Sequence, residues 1–167
     1  MRKAARIALA LCLAVLAGLA ARSFLFSAQR VYGTSMEGTL LSGDIVLVDR
    51  AGYRLGNGPE RGDVVLCTFP GRTGTYIKRV IGLPGEEIRF EEGRLTVDGE
   101  AVEEPWVSSP TDDLTVELGA GEYLVLGDNR ADSYDSRRED MGPIRREDLL
   151  GRVRLILWPV GRLGRAV

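Results

Sequence analysis

A mainly β domain preceded by one apolar N-terminal helix is the architecture that this sequence predicts. Three observations carry that expectation. After Gln29, short segments rich in β-branched and aromatic residues follow one another, separated by Gly, Pro and Asp. One of them contains Asp98-Gly99, a two-residue hairpin signal. Ahead of them an uninterrupted apolar run extends from Ile7 to Ala21, entered through Arg2, Lys3 and Arg6.

The apolar run alone is shorter than the roughly 20 residues that cross a bilayer as a helix. Including Ala4 and Ala5, and with Arg6 and Arg22 snorkelling to the interfaces, the span suffices, and residues 7–26 are read as a transmembrane anchor. The positive flank then keeps residues 1–6 as a short cytoplasmic tail and places residues 27–167 on the extracytoplasmic side. A cleavable signal peptide is a second reading of the same stretch, because "GLA" at Gly18–Ala20 supplies small residues at a cleavage spacing. Both readings export the rest of the chain.

The strand-like segments come in order. They are "DIVLVDR" (44–50), "DVVLCTF" (63–69), "TYIKRVIG" (75–82), "EIRF" (87–90), "RLTVDGEAV" (94–102), "YLVLGD" (123–128) and "RVRLILW" (152–158). "LPGEE" at 83–87 reads as a turn, and 108–113 as a loop. Helix signals are weak. "RREDLLGR" predicts a turn or two of helix closed by Gly151. No internal repeat interrupts this series.

Composition narrows the chemistry. With 167 residues, 44% of them hydrophobic, the chain suits one ordinary domain plus a membrane segment. It has no histidine, which excludes Ser-His-Asp and Cys-His sites and any zinc site built on imidazole. Cys12 and Cys67 form no CxxC pair and are read as structural. Residues 1–30 hold five of the 22 basic side chains and none of the 24 acidic ones, leaving 17 against 24, a net of −7, in residues 31–167. Such a balance disfavours a nucleic-acid partner.

Lysine usage is the sharper clue. Lys78 is the only lysine after Lys3, against 20 arginines. Arginine cannot give up its proton, whereas a buried lysine can. In "YIKRVIG", alternation sets Tyr76, Lys78 and Val80 on one face and Ile77, Arg79 and Ile81 on the other. Burial of the first face would lower the amine's pKa from its reference near 10.4 and make it a general base. A solvent-facing lysine guarding a sheet edge is the alternative.

Two other segments carry candidate chemistry. "GTSMEGTL" (33–40) offers Ser35, a poor nucleophile without a neighbouring base, bracketed by Gly33 and Gly38. Its backbone could aim amides at a developing oxyanion, or it could simply be a turn. "GDNRADSYDSRREDMGP" (127–143) concentrates Asp, Asn, Arg and Ser after a strand. It is either a paired network fixing a site or a polar surface loop.

Together these segments resemble type I signal peptidases, the membrane-bound Ser/Lys proteases that remove signal peptides from exported proteins. "GTSMEGTL", "GDIVLVDR", "YIKRVIGLPGE" and "GDNRADSYDSR" follow one another in that family's order behind an apolar N-terminus. The resemblance implies a fold of coiled antiparallel β-sheets and no cofactor or metal. It implies that Ser35 attacks the scissile carbonyl to form an acyl-enzyme, that neutral Lys78 takes its proton, and that Ser133 orients the amine. Asp128 would pair with Arg79, and Asp135 with Arg137. The backbone N–H of Ser35 would be one oxyanion donor. Some relatives supply a second donor from a hydroxyl two residues earlier; that position is Gly33 here, so only backbone could serve. The implied partners are exported preproteins with small residues before the cut, and membrane lipid.

Two competitors remain at this level. A self-cleaving repressor-type Ser/Lys peptidase shares a Ser-Met motif, but the apolar N-terminus leaves no room for a DNA-binding domain. An exported, non-catalytic β-domain is the other, and the lone Lys78 with Ser35 and Ser133 argues against it.

Overall fold

The structure is a computed structural model that describes residues 25–167 except 55 and 57, together with positions 7, 9, 11–13 and 18. Eleven strands follow in order: β1 (Phe26–Arg30), β2 (Ile45–Asp49), β3 (Val64–Cys67), β4 (Tyr76–Gly82), β5 (Glu87–Glu91), β6 (Arg94–Val97), β7 (Glu100–Val102), β8 (Leu114–Glu117), β9 (Glu122–Leu126), β10 (Ile144–Arg145) and β11 (Leu149–Trp158). One helical turn, α1 (Ala51–Arg54), follows β2. The strands make a seven-stranded sheet, β1-β2-β11-β3-β4-β9-β10, and a four-stranded sheet, β7-β6-β5-β8. All pairings are antiparallel.

Alternation explains the layers. In β2, Val46 and Val48 point into a core shared with Met36, Leu40, Val64, Leu66, Val153 and Ile156. The neighbouring side chains of β3 and β4, including Val65, Cys67 and Val80, join Phe69, Val125 and Ile144 in a second core. A third core, around Ile81, Ile88, Phe90, Leu124 and Leu126, joins the small sheet to the large one. β4 therefore touches apolar clusters on both faces, and its segment Lys78–Gly82 is wholly buried. A charged side chain on such a strand cannot reach water by simple rotation.

The Asp98-Gly99 hairpin forms between β6 and β7, with φ of +50° and +84° at the two turn residues, as a tight two-residue reversal requires. "LPGEE" turns between β4 and β5, closed by the Glu86 amide on the Leu83 carbonyl at 3.3 Å.

Some expectations change. "RREDLLGR" is not a Gly-capped helix: only Arg146–Asp148 forms a 3-10 turn, and Gly151 lies inside β11. The reason is packing. A Cβ at Gly151 would sit 2.7 Å from the Asp49 carbonyl and 2.8 Å from Val48 Cγ1, so glycine here lets β11 lie against β2. Strands β1, β8 and β10 carry no strong sequence signal; the first and third are sheet edges, and β8 edges the small sheet. β1 opens at Phe26, where the expected membrane segment ends. Most of residues 7–26 lie outside the described residues; those described between 7 and 18 are helical. Among the described residues no helix is long and apolar enough to cross a membrane.

Candidate active site

Ser35 sits in a tight turn rather than on a strand. The amides of Thr39 and Leu40 close onto the Met36 carbonyl at 3.1 and 2.8 Å, and Met36 and Leu40 anchor the turn in the first core. The Ser35 carbonyl accepts from the Asn129 amide at 3.0 Å, and the Thr34 carbonyl from Asn129 Nδ2 at 3.3 Å. Thr34 Oγ1 donates to Asp132. The turn is thus stitched to the loop after β9. The Ser35 amide and hydroxyl have no hydrogen-bond partner among the described residues. Gly33, two residues upstream, is exposed, has φ of +81°, and has open space where a Cβ would point.

Lys78 projects from the middle of β4 and is 2% exposed. Its Nζ donates to Ser133 Oγ at 3.0 Å. Burial lowers the pKa of the amine; the nearby Asp135 carboxylate opposes that shift without cancelling it. Asp135 is itself buried, which raises its pKa. Its hydrogen bonds with Arg137, the Gly127 amide and the Ser133 hydroxyl prevail and hold it below the usual carboxylate range. The result is an amine that gives up its proton more readily than a free lysine, beside a carboxylate that stays charged.

Two forked ion pairs hold this arrangement. Arg79, the strand neighbour of Lys78 on the opposite face, gives Asp128 two bonds of 2.8 and 2.7 Å, and the Asp128 side chain is fully buried. Arg137 gives Asp135 bonds of 2.8 and 3.0 Å and the Arg130 carbonyl one of 2.8 Å. Ser35 and Lys78 line one cavity of about 100 Å3, with Gln29–Tyr32 from β1 and beyond on one side and Thr75–Ile77 on the other. Gly127 is the joint between the two halves: a Cβ there would collide with both Ser133 Oγ and the Ser35 carbonyl. The structure therefore brings together seven of the eight residues singled out from the sequence; Gly33 is exposed and has no hydrogen bond among the described residues.

A buried lysine held by a serine, on a cavity also lined by a second serine with no partner among the described residues, fits amine-assisted nucleophilic chemistry without histidine. The family model described as signal peptidase, peptidase S26, matches residues 4–158. The chain belongs to this family. Related proteins of the family include the probable signal peptidase I-2 of Synechocystis, 37% identical across 90% of this chain and 72% of its own length. Signal peptidase I of Leptolyngbya laminosa is 36% identical, covering 91% and 78%. The crystal structure of a signal peptidase I from Enterococcus faecalis superposes with a TM-score of 0.52 at 28% identity, covering 56% of this chain and 95% of that one. As a signal peptidase I family member the chain is a serine endopeptidase.

Several residues of this peptidase site have no counterpart in the sequence reading. Thr39 Oγ1 donates to Asp128 at 2.6 Å and accepts from Arg79 at 3.1 Å, so it completes the first ion pair. The Arg79 guanidinium lies over the Trp106 ring, 4.4 Å from its centre. Arg130 is paired with Glu104, bonds Thr111 at 2.5 Å, and faces the Phe90 ring, tying the small sheet to the loop that bears Ser133. Thr39 and Arg130 stand inside quoted motifs, so proximity in sequence was a signal. Thr111 lies in the stretch 108–113 that reads as a loop, Glu104 and Trp106 lie just before it, and nothing local marks any of the three.

Proposed function

We propose that this peptidase removes signal peptides from exported preproteins, anchored in the membrane through residues 7–26, with Ser35 as nucleophile and Lys78 as general base. The observation that carries the reading is the lone interior lysine, buried and bonded to Ser133 on the cavity that Ser35 also lines. A preprotein segment in extended form lies in the trough between the end of β1 and the start of β4, adding to the sheet as a strand. Neutral Lys78 takes the Ser35 proton as the hydroxyl attacks the scissile carbonyl. The free amide of Ser35, aided by the backbone at Gly33, stabilises the oxyanion. Collapse expels the mature protein with the proton returned from Lys78 to its new amino terminus. The amine then activates water to release the signal peptide from Ser35.

Cleavage of a detergent-solubilised preprotein tests the reading. Ser35→Ala and Lys78→Ala each abolish turnover while the fold persists, and Lys78→Arg is equally inactive because a guanidinium stays charged. Wild-type turnover in any of the three rejects the dyad. Membrane anchoring is tested separately, by fractionation of the full chain and by sequencing the amino terminus of the mature protein. A start near Ala21 would replace the anchor with a cleaved leader.

A further inference from the structure

The family match ends at Trp158, yet the chain beyond it reaches back to the catalytic turn. After β11 a 3-10 turn, Val160–Arg162, reverses direction, and residues 164–167 return along β11. The return is bonded: the Gly164 amide donates to the Ile156 carbonyl at 2.9 Å, the Ile156 amide to the Arg165 carbonyl at 3.1 Å, and the Val167 amide to the Arg154 carbonyl at 3.3 Å. This hook projects Arg162 toward the segment that follows Ser35. One guanidinium nitrogen donates to the Thr39 carbonyl at 2.7 Å, and the other to Asp44 Oδ2 at 2.6 Å. That same carboxylate oxygen accepts the Leu41 amide at 2.9 Å. The ion pair is largely buried, with the Asp44 side chain 3% exposed.

The two acceptors bracket the exit from the catalytic turn. Thr39 is its last residue, and its hydroxyl is the group that joins Asp128 to Arg79, the strand neighbour of Lys78. The Thr39 main chain is thus gripped from behind by Arg162 while its side chain is engaged by the network next to the base. Upstream, Asn129 holds the Ser35 carbonyl. Without Arg162 the exit of the turn keeps its local main-chain bonds, the Leu41 amide on Asp44, the Thr39 side-chain bonds and the buried Met36 and Leu40 contacts, but loses the clamp that ties it to the chain beyond β11. A planar fork spanning a carbonyl and a carboxylate sets distance and angle together, which a single point charge cannot do.

Resting on the Ser35/Lys78 reading above, we infer that Arg162 is a positioning residue for the nucleophile: its clamp on Thr39 and Asp44 sets where Ser35 stands relative to Lys78. It touches neither substrate nor base. Displacing a reacting group by about 1 Å can cost up to roughly a hundredfold in rate, and loss of one of several restraints should fall below that limit.

The test uses the full chain with a preprotein substrate, alongside Ser35→Ala. Arg162→Gln should lower kcat by about tenfold per folded molecule. KM and the acid limb of the kcat/KM profile should not move, because the trough and the surroundings of Lys78 are intact. Arg162→Lys, which restores the charge at Asp44 but not the fork, should regain the wild-type melting temperature and only part of kcat. If Arg162→Gln does not fold, the same split is read from Arg162→Lys alone. Unchanged kcat in a folded variant, whatever its melting temperature, overturns the inference and leaves Arg162 as a purely stabilising residue. A fall in kcat with a shifted acid limb also overturns it, since Arg162 would then act on the base. Full turnover by Ser35→Ala would instead remove the dyad on which the inference rests.

Discussion

The two sides of the proposed catalytic cavity, with Lys78 as its base and Ser35 as its nucleophile, are built in opposite ways. On the base side, Lys78 bonds Ser133, Arg79 bonds Asp128 and Arg137 bonds Asp135 through their side chains, on or beside strands packed against three apolar cores. On the nucleophile side, Ser35 is held by main-chain bonds around it while its hydroxyl and amide have no partner among the described residues. The contrast follows from what each group must do. A lysine remains a base only if its surroundings keep it dry and oriented. A nucleophile and an oxyanion donor must be free to bond the substrate, so their restraint has to come from neighbouring atoms. Gly127 lies where the two constructions meet.

Replacing the base should give the largest effect. Lys78→Met removes all measurable cleavage, yet the fold should gain stability near neutral pH. The sign follows from the lowered amine pKa. Between the folded value and the unfolded reference of about 10.4, the unfolded chain binds the extra proton. The wild type therefore grows more stable as pH rises through that window, and the burial penalty is fully present below the folded value and gone above the unfolded one. Chemical denaturation of both proteins across alkaline pH checks this: the wild-type slope minus that of the methionine variant should be positive, since Cys67, pushed up to about 12 by burial, and Tyr53, also raised, lower the stability of both as pH rises. Activity has the matching direction, rising with pH as Lys78 loses its proton. A flat acid limb would mean that another group limits the rate.

Gly127→Ala should come next. The new methyl group meets Ser133 Oγ and the Ser35 carbonyl together, so one substitution disturbs both sides. Overpacking of this kind costs about 1–3 kcal/mol, and misalignment should lower kcat by about a hundredfold. Stopped assays with the variant checked for native circular dichroism measure it. Retained turnover would show that the joint yields without parting Ser35 from Lys78.

Asp135→Asn separates charge from shape on the base side. The carboxylate opposes the lowering of the Lys78 pKa, so its removal should move the acid limb of kcat/KM to lower pH. Stability should fall as well, because Arg137, partly exposed, loses its forked partner. A pH profile determined on the folded variant reads the first effect independently of the second. A limb displaced to higher pH would contradict the account of Lys78.

The same contrast decides what could be read from sequence. Strands β2, β3, β4, β9 and β11 were legible because each is a short run rich in β-branched or aromatic residues, set off by Gly, Pro or Asp. Their order in the sheet was not, because period-two alternation specifies a face and no partner: β11 lies between β2 and β3 although about a hundred residues separate them. Lys78 stood out by the scarcity of lysine. Ser35 gained its meaning from the resemblance of four motifs, since a serine between a threonine and a methionine is otherwise unremarked. Gly151 misled, because glycine before a strand core and glycine after a helix look alike until the close approach of the Asp49 carbonyl is seen. Trp106 and Arg162 were silent for a different reason. Each acts across a long sequence separation through a guanidinium, and arginine is the ordinary cation of this chain.

The smallest expected effect belongs to Gly33, at the exposed edge of the nucleophile side. Its φ of +81° lies where a Cβ is disfavoured, while the space into which that Cβ would point is open. Gly33→Ala should therefore cost about 1–2 kcal/mol of stability through backbone strain alone. If the Gly33 backbone contributes to the oxyanion site, relaxation of that strain would turn the peptide and lower kcat severalfold with KM preserved, because the donor matters only once charge develops. Gly33→Ser separates the two contributions. It carries the same strain but adds a hydroxyl two residues ahead of Ser35. Recovery of kcat above the alanine level, at equal melting temperature, would assign the second oxyanion donor to this position. Equal kcat in both variants would leave the Ser35 amide as the donor on this side of the cavity that carries the developing charge.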